Sequence, residues 1–116
     1  MNTAEILADR VRHMLADRPI VAKRMFGGLT FMLSGNMLCC VSEKGLMVRV
    51  GASAEAAALA KPHAALCLGA GRPMAGFILV AQSGVTADAD LESWLDRALA
   101  YVEKLPPKKA KLARRR

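Results

Sequence analysis

A pair of glycines in the first third of the chain constrains the fold more than any other feature. Gly27 and Gly28 follow a basic, bulky segment and precede residues 29–33, in which apolar side chains alternate. Glycine adopts positive φ angles and permits close backbone approach, so the pair predicts a bend that leads into a strand. Phe26 and Phe31 are then expected to turn towards one core from either side of the bend.

Two further turn signals predict that this strand is followed by two more. Residues 34–36 read Ser-Gly-Asn and residues 43–45 read Glu-Lys-Gly, both of which are typical of hairpin turns. The predicted strands cover about 29–33, 37–41 and 46–50. The last of them reads Leu-Met-Val-Arg-Val, and this alternation predicts one buried and one wetter face of an antiparallel sheet.

Helices are predicted at both ends of the chain. Asn2 and Glu5 form a capping-box pattern, which predicts a first helix that runs to about Asp17. Near the other end, apolar residues recur at three- and four-residue steps as far as Val102, and Thr86 or Asp88 is the expected cap of that helix.

The middle of the chain has weaker signals. Ser53 is expected to cap a short alanine-rich helix over residues 55–60, and residues 74–80 predict a strand with a bulge at Gly76. Residues 20–22 are expected to be a short extended piece, and residues 61–73 an irregular loop.

These elements predict an α+β fold, a two-layer sandwich with an antiparallel sheet, in the order helix, three strands, helix, strand, helix. Residues 1–105 form the expected domain, and residues 106–116 a basic, disordered tail. No segment approaches the ~20 apolar residues of a membrane helix. The N-terminus lacks the apolar block of a signal peptide, and the three cysteines lack the spacing of a disulfide framework, so a cytoplasmic protein is expected.

The charge excess is confined to the C-terminal end. The chain carries 17 Lys and Arg against 10 Asp and Glu, but seven of the cations lie beyond residue 103, so the rest is formally neutral. These seven residues are the candidates for nucleic-acid contact, and a solubilising extension is the alternative: Lys104, Lys108, Lys109, Lys111, Arg114, Arg115 and Arg116.

The residues with reactive side chains do not form a recognisable catalytic pattern. His13 and His63 have no cysteine or histidine at metal-ligand spacing, and Cys39 and Cys40 are adjacent and predicted to be small apolar strand residues. We therefore expect no catalytic residue, metal or cofactor. Residues 69–72 (Gly-Ala-Gly-Arg) fit either an anion-binding backbone nest or a plain loop before a strand.

Several segments in a fixed order resemble the N-terminal domain of the TfoX/Sxy proteins, over about residues 3–109. The most specific are Arg-Met-Phe-Gly-Gly at 24–28 and Arg-Pro-Met-Ala-Gly-Phe at 72–77, supported by Leu-Met-Val-Arg-Val-Gly at 46–51 and Leu-Pro-Pro-Lys-Lys at 105–109. The resemblance implies a two-layer fold akin to secretion chaperones and YjbR-like DNA-binding proteins.

The resemblance also implies a function. Members of the family are associated with the regulation of natural competence genes, as co-regulators beside a cyclic-AMP receptor-type transcription factor, and full-length regulators carry a second, helical domain where this chain has its basic tail. No catalytic residues carry over. The surface that the family shares is expected at Arg24, Phe26, Gly27, Gly28, Arg72 and Met74, and the glycines have a purely architectural role as their alternative.

Two functions from different classes follow. The first is a non-enzymatic regulatory domain that contacts a transcription factor or DNA. The second is a stand-alone module that binds a small ligand or a protein without nucleic-acid contact; an enzyme is the least favoured class because no acid–base constellation is visible. The partners considered are a transcription factor, DNA and a second copy of the chain in a homodimer.

The nucleic-acid hypothesis for the tail makes a direct prediction. The full chain should bind duplex DNA with an affinity that falls steeply as salt rises, because the cations displace counterions from phosphates. A chain truncated after Lys104 should lose this binding. Fluorescence anisotropy over a salt series measures both, and equal affinities of the two chains would contradict a tail-based contact.

Overall fold

The computed structural model describes residues 2–25, 27–69 and 71–107 of the 116-residue chain. Phe26 and the tail beyond Pro107 lie outside these ranges, so the expectations for them stay predictions.

Three α-helices and six β-strands form within the described ranges, together with 3-10 turns at Ala52–Ala54 and Gln82–Gly84. The helices are α1 (Thr3–Met14), α2 (Glu55–Leu59) and α3 (Asp88–Val102). The strands are β1 (Ile20–Met25), β2 (Gly28–Leu33), β3 (Asn36–Ser42), β4 (Gly45–Arg49), β5 (Ala64–Gly69) and β6 (Arg72–Val80). No helix in the described part of the chain is long and apolar enough to cross a membrane.

The six strands form one antiparallel sheet in the order β1-β2-β3-β4-β6-β5. β1 to β4 are a meander, since each strand pairs with the next one along the chain. β6 then lies between β4 and β5, which leaves β5 at the second edge. The α+β class and the antiparallel sheet predicted from the sequence are confirmed.

The helices pack on one face of this sheet. The register places Phe31, Cys39, Val48 and Ile78 side by side on β2, β3, β4 and β6, and each is at most 1% exposed. They share one buried cluster with side chains of all three helices, among them Leu7, Val11, Ala58, Leu91, Leu95 and Ala98. Burial of these apolar side chains is the main stabilising contribution to the fold.

Both edge strands depart from the sequence prediction. Residues 20–22 extend into the full strand β1, and residues 64–69, expected in an irregular loop, form β5. Most β1 residues are exposed, and the β5 sequence Ala-Ala-Leu-Cys-Leu-Gly lacks a regular alternation. Their extended conformation comes from pairing with β2 and β6. These pairings are tertiary contacts, which the strand propensity of the local sequence does not predict.

The helix termini confirm one predicted cap and correct the others. The Asn2–Glu5 capping box is present, but α1 ends at Met14 and the chain continues in tight turns to Arg18. Neither α2 nor α3 has a side-chain cap: Ser53 lies in a 3-10 turn, and α3 begins after Ala87.

A fork of hydrogen bonds, part-buried at Val85 and exposed at Thr86 and Asp88, engages the start of α3, where Ala87 holds the cap position and Asp88 is the first helical residue. Arg10 of α1 donates to the backbone oxygens of Val85 and Thr86 at 2.9 and 3.0 Å and to the Asp88 carboxylate at 2.9 Å. The Asp88 carboxylate is therefore engaged by α1. This fork joins the first helix to the entry of the last one.

A hydrogen bond between Glu55 and Gly76 connects α2 to the sheet. The Glu55 carboxylate accepts a hydrogen bond of 3.1 Å from the Gly76 amide. Gly76 has φ 84°, and its carbonyl accepts from both the Val50 and the Gly51 amides. The two-to-one pairing is the kind of irregularity that the glycine in this strand predicts.

We predict that Arg10→Ala lowers the free energy of unfolding by about 1–3 kcal/mol, because the part-buried Val85 carbonyl and the exposed Thr86 carbonyl lose their donor. Arg12→Ala is the matched control on the same helix. Its exposed ion pair with Asp9 should contribute less than about 1 kcal/mol. Urea denaturation of both variants measures the difference, and equal losses would show that the fork has no special role.

Candidate functional site

The residues singled out from the sequence lie in two places. Arg24, Gly27 and Gly28 are at the connection between β1 and β2, whereas Arg72 and Met74 are at the start of β6. The structure therefore divides the expected surface into two regions, each with its own cavity.

The first region is a cleft of about 480 Å³ between the start of α1 and the β1–β2 and β3–β4 connections. Its described lining includes two bases, Arg24 and Lys44, and two acids, Glu5 and Glu43. Because the charges balance, the cleft has no net preference for an anion.

The two glycines in this cleft have different steric requirements. Gly27 has φ +74°, and a Cβ there would have no atom within 4 Å. A Cβ on Gly28 would lie 2.1 Å from the backbone oxygen of Val41. Gly28 is therefore required by the close approach of β2 and β3, which favours the architectural alternative for this residue.

The second region is a cavity of about 310 Å³ on the sheet face that points away from the helices. Its lining contains four sulfur side chains, Cys40, Met47, Cys67 and Met74. We call these four residues the sulfur cluster. The Cys67 Sγ atom lies 2.9 Å from Met47 Sδ and 3.9 Å from Met74 Sδ.

The pairing of β5 explains how Cys67 enters this cavity. The register shifts between Leu66 and Leu68, whose partners on β6 are Ile78 and Pro73, so the extra residues of this irregularity are 74–77 of β6. It is 7% exposed, whereas both of its leucine neighbours are exposed. Leu66 pairs with Ile78 of the helix-side cluster, so the alternation along β5 places the next residue, Cys67, on the face away from the helices.

Burial keeps the three thiols protonated. Burial raises the pKa of Cys39, and the neighbouring Cys40 raises it further. Burial also raises the pKa of Cys40, against a smaller lowering by the hydrogen bond with Thr30. For Cys67, burial and then Cys40 raise the pKa while Lys44 lowers it. Since the thiolate is the nucleophile, these cysteines are poor nucleophiles in the state described.

Arg72 lies at the tip of the β5–β6 hairpin, outside this cavity. It pairs with Gly69, and it is exposed. In the segment that the sequence left open between an anion nest and a plain loop, Gly69 ends β5, Arg72 begins β6 and Gly71 has φ 80°.

The structure also brings together a serine and a histidine that sequence reasoning missed. The Ser83 Oγ and His63 Nδ1 atoms are 2.9 Å apart, beside a cavity of about 300 Å³ that Asp90 also lines. In hydrolytic triads the histidine contacts serine through Nε2 and is oriented through Nδ1. The pairing here uses the wrong nitrogen for that mechanism, so it is a structural contact.

The sheet face away from the helices carries an apolar surface, which we call the outer face. Across it, the register aligns Thr30, Cys40, Met47 and Leu79 on neighbouring strands, and none of them belongs to the helix-side cluster. Met32, Met37 and Phe77 lie on the same face and are half-buried. Within the described residues, no helix covers this face.

The tail candidates lie almost entirely outside the described ranges. Lys104 is described: it follows α3 and is exposed. The other six are not, namely Lys108, Lys109, Lys111, Arg114, Arg115 and Arg116. Across the described residues, no three of the histidine, cysteine and carboxylate side chains gather to hold a metal ion.

Comparison with known protein families gives one match. The family model described as the TfoX N-terminal domain matches residues 13–102, which span the chain from the end of α1 to the end of α3. No curated protein and no solved structure matches the chain.

The steric difference between the glycines predicts different costs of substitution. Gly28→Ala should lower the free energy of unfolding by about 3 kcal/mol, because its methyl group meets a backbone oxygen that cannot move aside. Gly27→Ala should cost about 1 kcal/mol for the left-handed backbone alone. Thermal or urea unfolding compares them, and a larger loss for Gly27→Ala would contradict the assignment.

Proposed function

Since the chain belongs to the TfoX N-terminal domain family, we propose that it is a non-enzymatic interaction domain that takes part in transcriptional regulation by contacting a protein. The observation that carries this proposal is the outer face of the sheet. It is broad, apolar and free of helices in the described part of the chain.

The side chains of the outer face suit protein contact. Methionine is flexible and polarisable, so it adapts to different partner surfaces, and it is enriched at interfaces. Met32, Met37 and Met47 are half-buried there. At the two edges of the sheet, Val21 on β1 and Leu68 on β5 are 56% and 62% exposed. Thr30 and Cys40 at the centre of the outer face are buried, so the accessible contact area is formed by the side chains around them.

The chemistry of the described residues favours binding over catalysis. The thiols are held in their protonated form, and the Ser83–His63 contact lacks the geometry of a nucleophile and its base. These observations support a domain that works by contact.

The family resemblance supplies the class of partner, a cyclic-AMP receptor-type transcription factor. DNA contact remains the role proposed for the tail, next to the exposed Lys104. Lys23 and Arg24 add two exposed cations at the β1 edge, beside the outer face. A partner already bound to DNA would bring phosphates near these residues.

The sulfur-lined cavity favours the second candidate function, a small-ligand module. A volume of about 310 Å³ is at the lower end of the range for ligand pockets, roughly 300–1,000 Å³. On this alternative the domain binds a small apolar molecule there and makes no nucleic-acid contact. A thermal-shift screen of small molecules against the full chain tests it.

We predict that the full chain binds a purified cyclic-AMP receptor-type factor and that Val21→Glu and Leu68→Glu each weaken binding by tenfold or more. A buried, unpaired carboxylate at an interface is costly. Ile6→Glu is the matched control, because Ile6 is a comparably exposed apolar residue on α1. It should change the affinity less than about twofold. Isothermal titration calorimetry with and without promoter DNA measures these affinities.

Three results would distinguish the alternatives. Equal weakening by Ile6→Glu would contradict contact through the outer face. Binding that requires both DNA and the intact tail would assign the contact to DNA. Light scattering that shows a dimer, disrupted by Leu68→Glu, would identify a second copy of the chain as the occupant.

A further inference from the structure

The sulfur cluster brings sulfur side chains from β3, β4, β5 and β6 to one cavity. We propose that it is a binding site for one Cu(I) ion, with Cys67, Met47 and Met74 as the primary donors and Cys40 as a fourth sulfur in the same cavity.

The first argument is convergence. The three primary donors come from β5, β4 and β6, and both methionine sulfur atoms lie within 4 Å of the Cys67 sulfur. Sulfur ligands bind at about 2.3 Å from a metal such as zinc. Two sulfurs at that distance and 120° apart are separated by about 4 Å, which matches the 3.9 Å between Cys67 Sγ and Met74 Sδ.

The remaining adjustment falls on a flexible side chain. Cys67 Sγ and Met47 Sδ are 2.9 Å apart, so they must separate by about 1 Å to admit an ion. Met47 has three rotatable bonds beyond its Cα and is half-buried, which allows that movement. Cys67 is held in place by the pairing of its neighbours Leu66 and Leu68 with β6.

The second argument is the type of donor. Thiolates and thioethers are soft ligands, and they select Cu(I) over hard cations. The described lining of the cavity contains no carboxylate and no histidine, and Lys44 is its one charged residue. Magnesium, calcium and the usual mixed zinc sites therefore lack their preferred ligands here.

The third argument is charge. Cu(I) bound to one thiolate forms a neutral pair, whereas a divalent ion would leave a positive charge in a cavity that Lys44 already borders. Binding breaks the S–H bond of Cys67 and forms a Cu–S bond, and the proton leaves to solvent. No electron is transferred, so no oxidant or reductant is needed.

The test is anaerobic titration of the full chain with Cu(I) in competition with a chromophoric Cu(I) chelator. We expect one ion per chain and a first shell of sulfur in X-ray absorption spectra. Failure to retain Cu(I) against the chelator, or a shell of nitrogen and oxygen, would overturn the proposal.

Matched variants distinguish residues that bind Cu(I) from neighbouring residues that do not. Losing groups that only orient metal ligands costs roughly 10–100-fold in affinity, so Cys67→Ala should weaken Cu(I) binding by at least about 100-fold. Met47→Leu and Met74→Leu keep the side-chain volume while removing a sulfur, and each should weaken binding about tenfold or more.

Two controls carry the same substitutions outside the cluster. Met37→Leu changes another methionine of the outer face, and Cys39→Ala changes a cysteine on the helix side. Both should bind Cu(I) as tightly as the unaltered chain, with folding checked by circular dichroism. Losses equal to those of the cluster variants would contradict the site.

Discussion

One-sided burial is the constraint on which the rest of this structure depends. All three helices place their apolar side chains against the same face of the sheet, and the row of Phe31, Cys39, Val48 and Ile78 lies at the centre of that contact. A chain of this length has enough apolar surface for one core. Stability is therefore supplied by the helix side, through this core and through ties such as the Arg10 fork at the start of α3. The side chains of the outer face are not part of this core.

The outer face joins the two proposals because both use side chains that the core does not need. Three half-buried methionines, Met32, Met37 and Met47, offer an adaptable surface to a protein, and the sulfur cluster lies towards the β5 edge of the same face. Two adjacent residues lie on opposite faces of the sheet: Cys39 faces the helices and Cys40 faces the sulfur-lined cavity. Their pKa values are raised for the same main reason, burial, but only the second has other sulfur atoms as neighbours in that cavity.

Local patterns carried the sequence prediction, and non-local contacts limited it. The Asn2–Glu5 capping box and the alternation in β4 depend only on residues that are close in sequence. The capped first helix and the sheet with one buried face could therefore be predicted. β5 could not, because its sequence has no regular alternation of polar and apolar residues, and its pairing with β6 supplies the extended conformation. The cap expected from Asp88 is absent because α3 begins one residue earlier than that cap requires: Ala87 is at the cap position, and the Asp88 side chain contacts Arg10 of α1. The sulfur cluster needed the register of three strands, which no spacing in the sequence encodes.

Solvent exposure of the outer face tests the central claim most directly. Methyl groups of methionine, leucine and valine can be labelled with carbon-13, and their relaxation measured with a soluble gadolinium chelate. The account predicts strong broadening for Met32, Met37 and Met47, and little for Leu46 and Val48 on the helix side. Equal protection of both sets in the isolated chain would mean that the outer face is already covered, and that result would contradict an open contact surface.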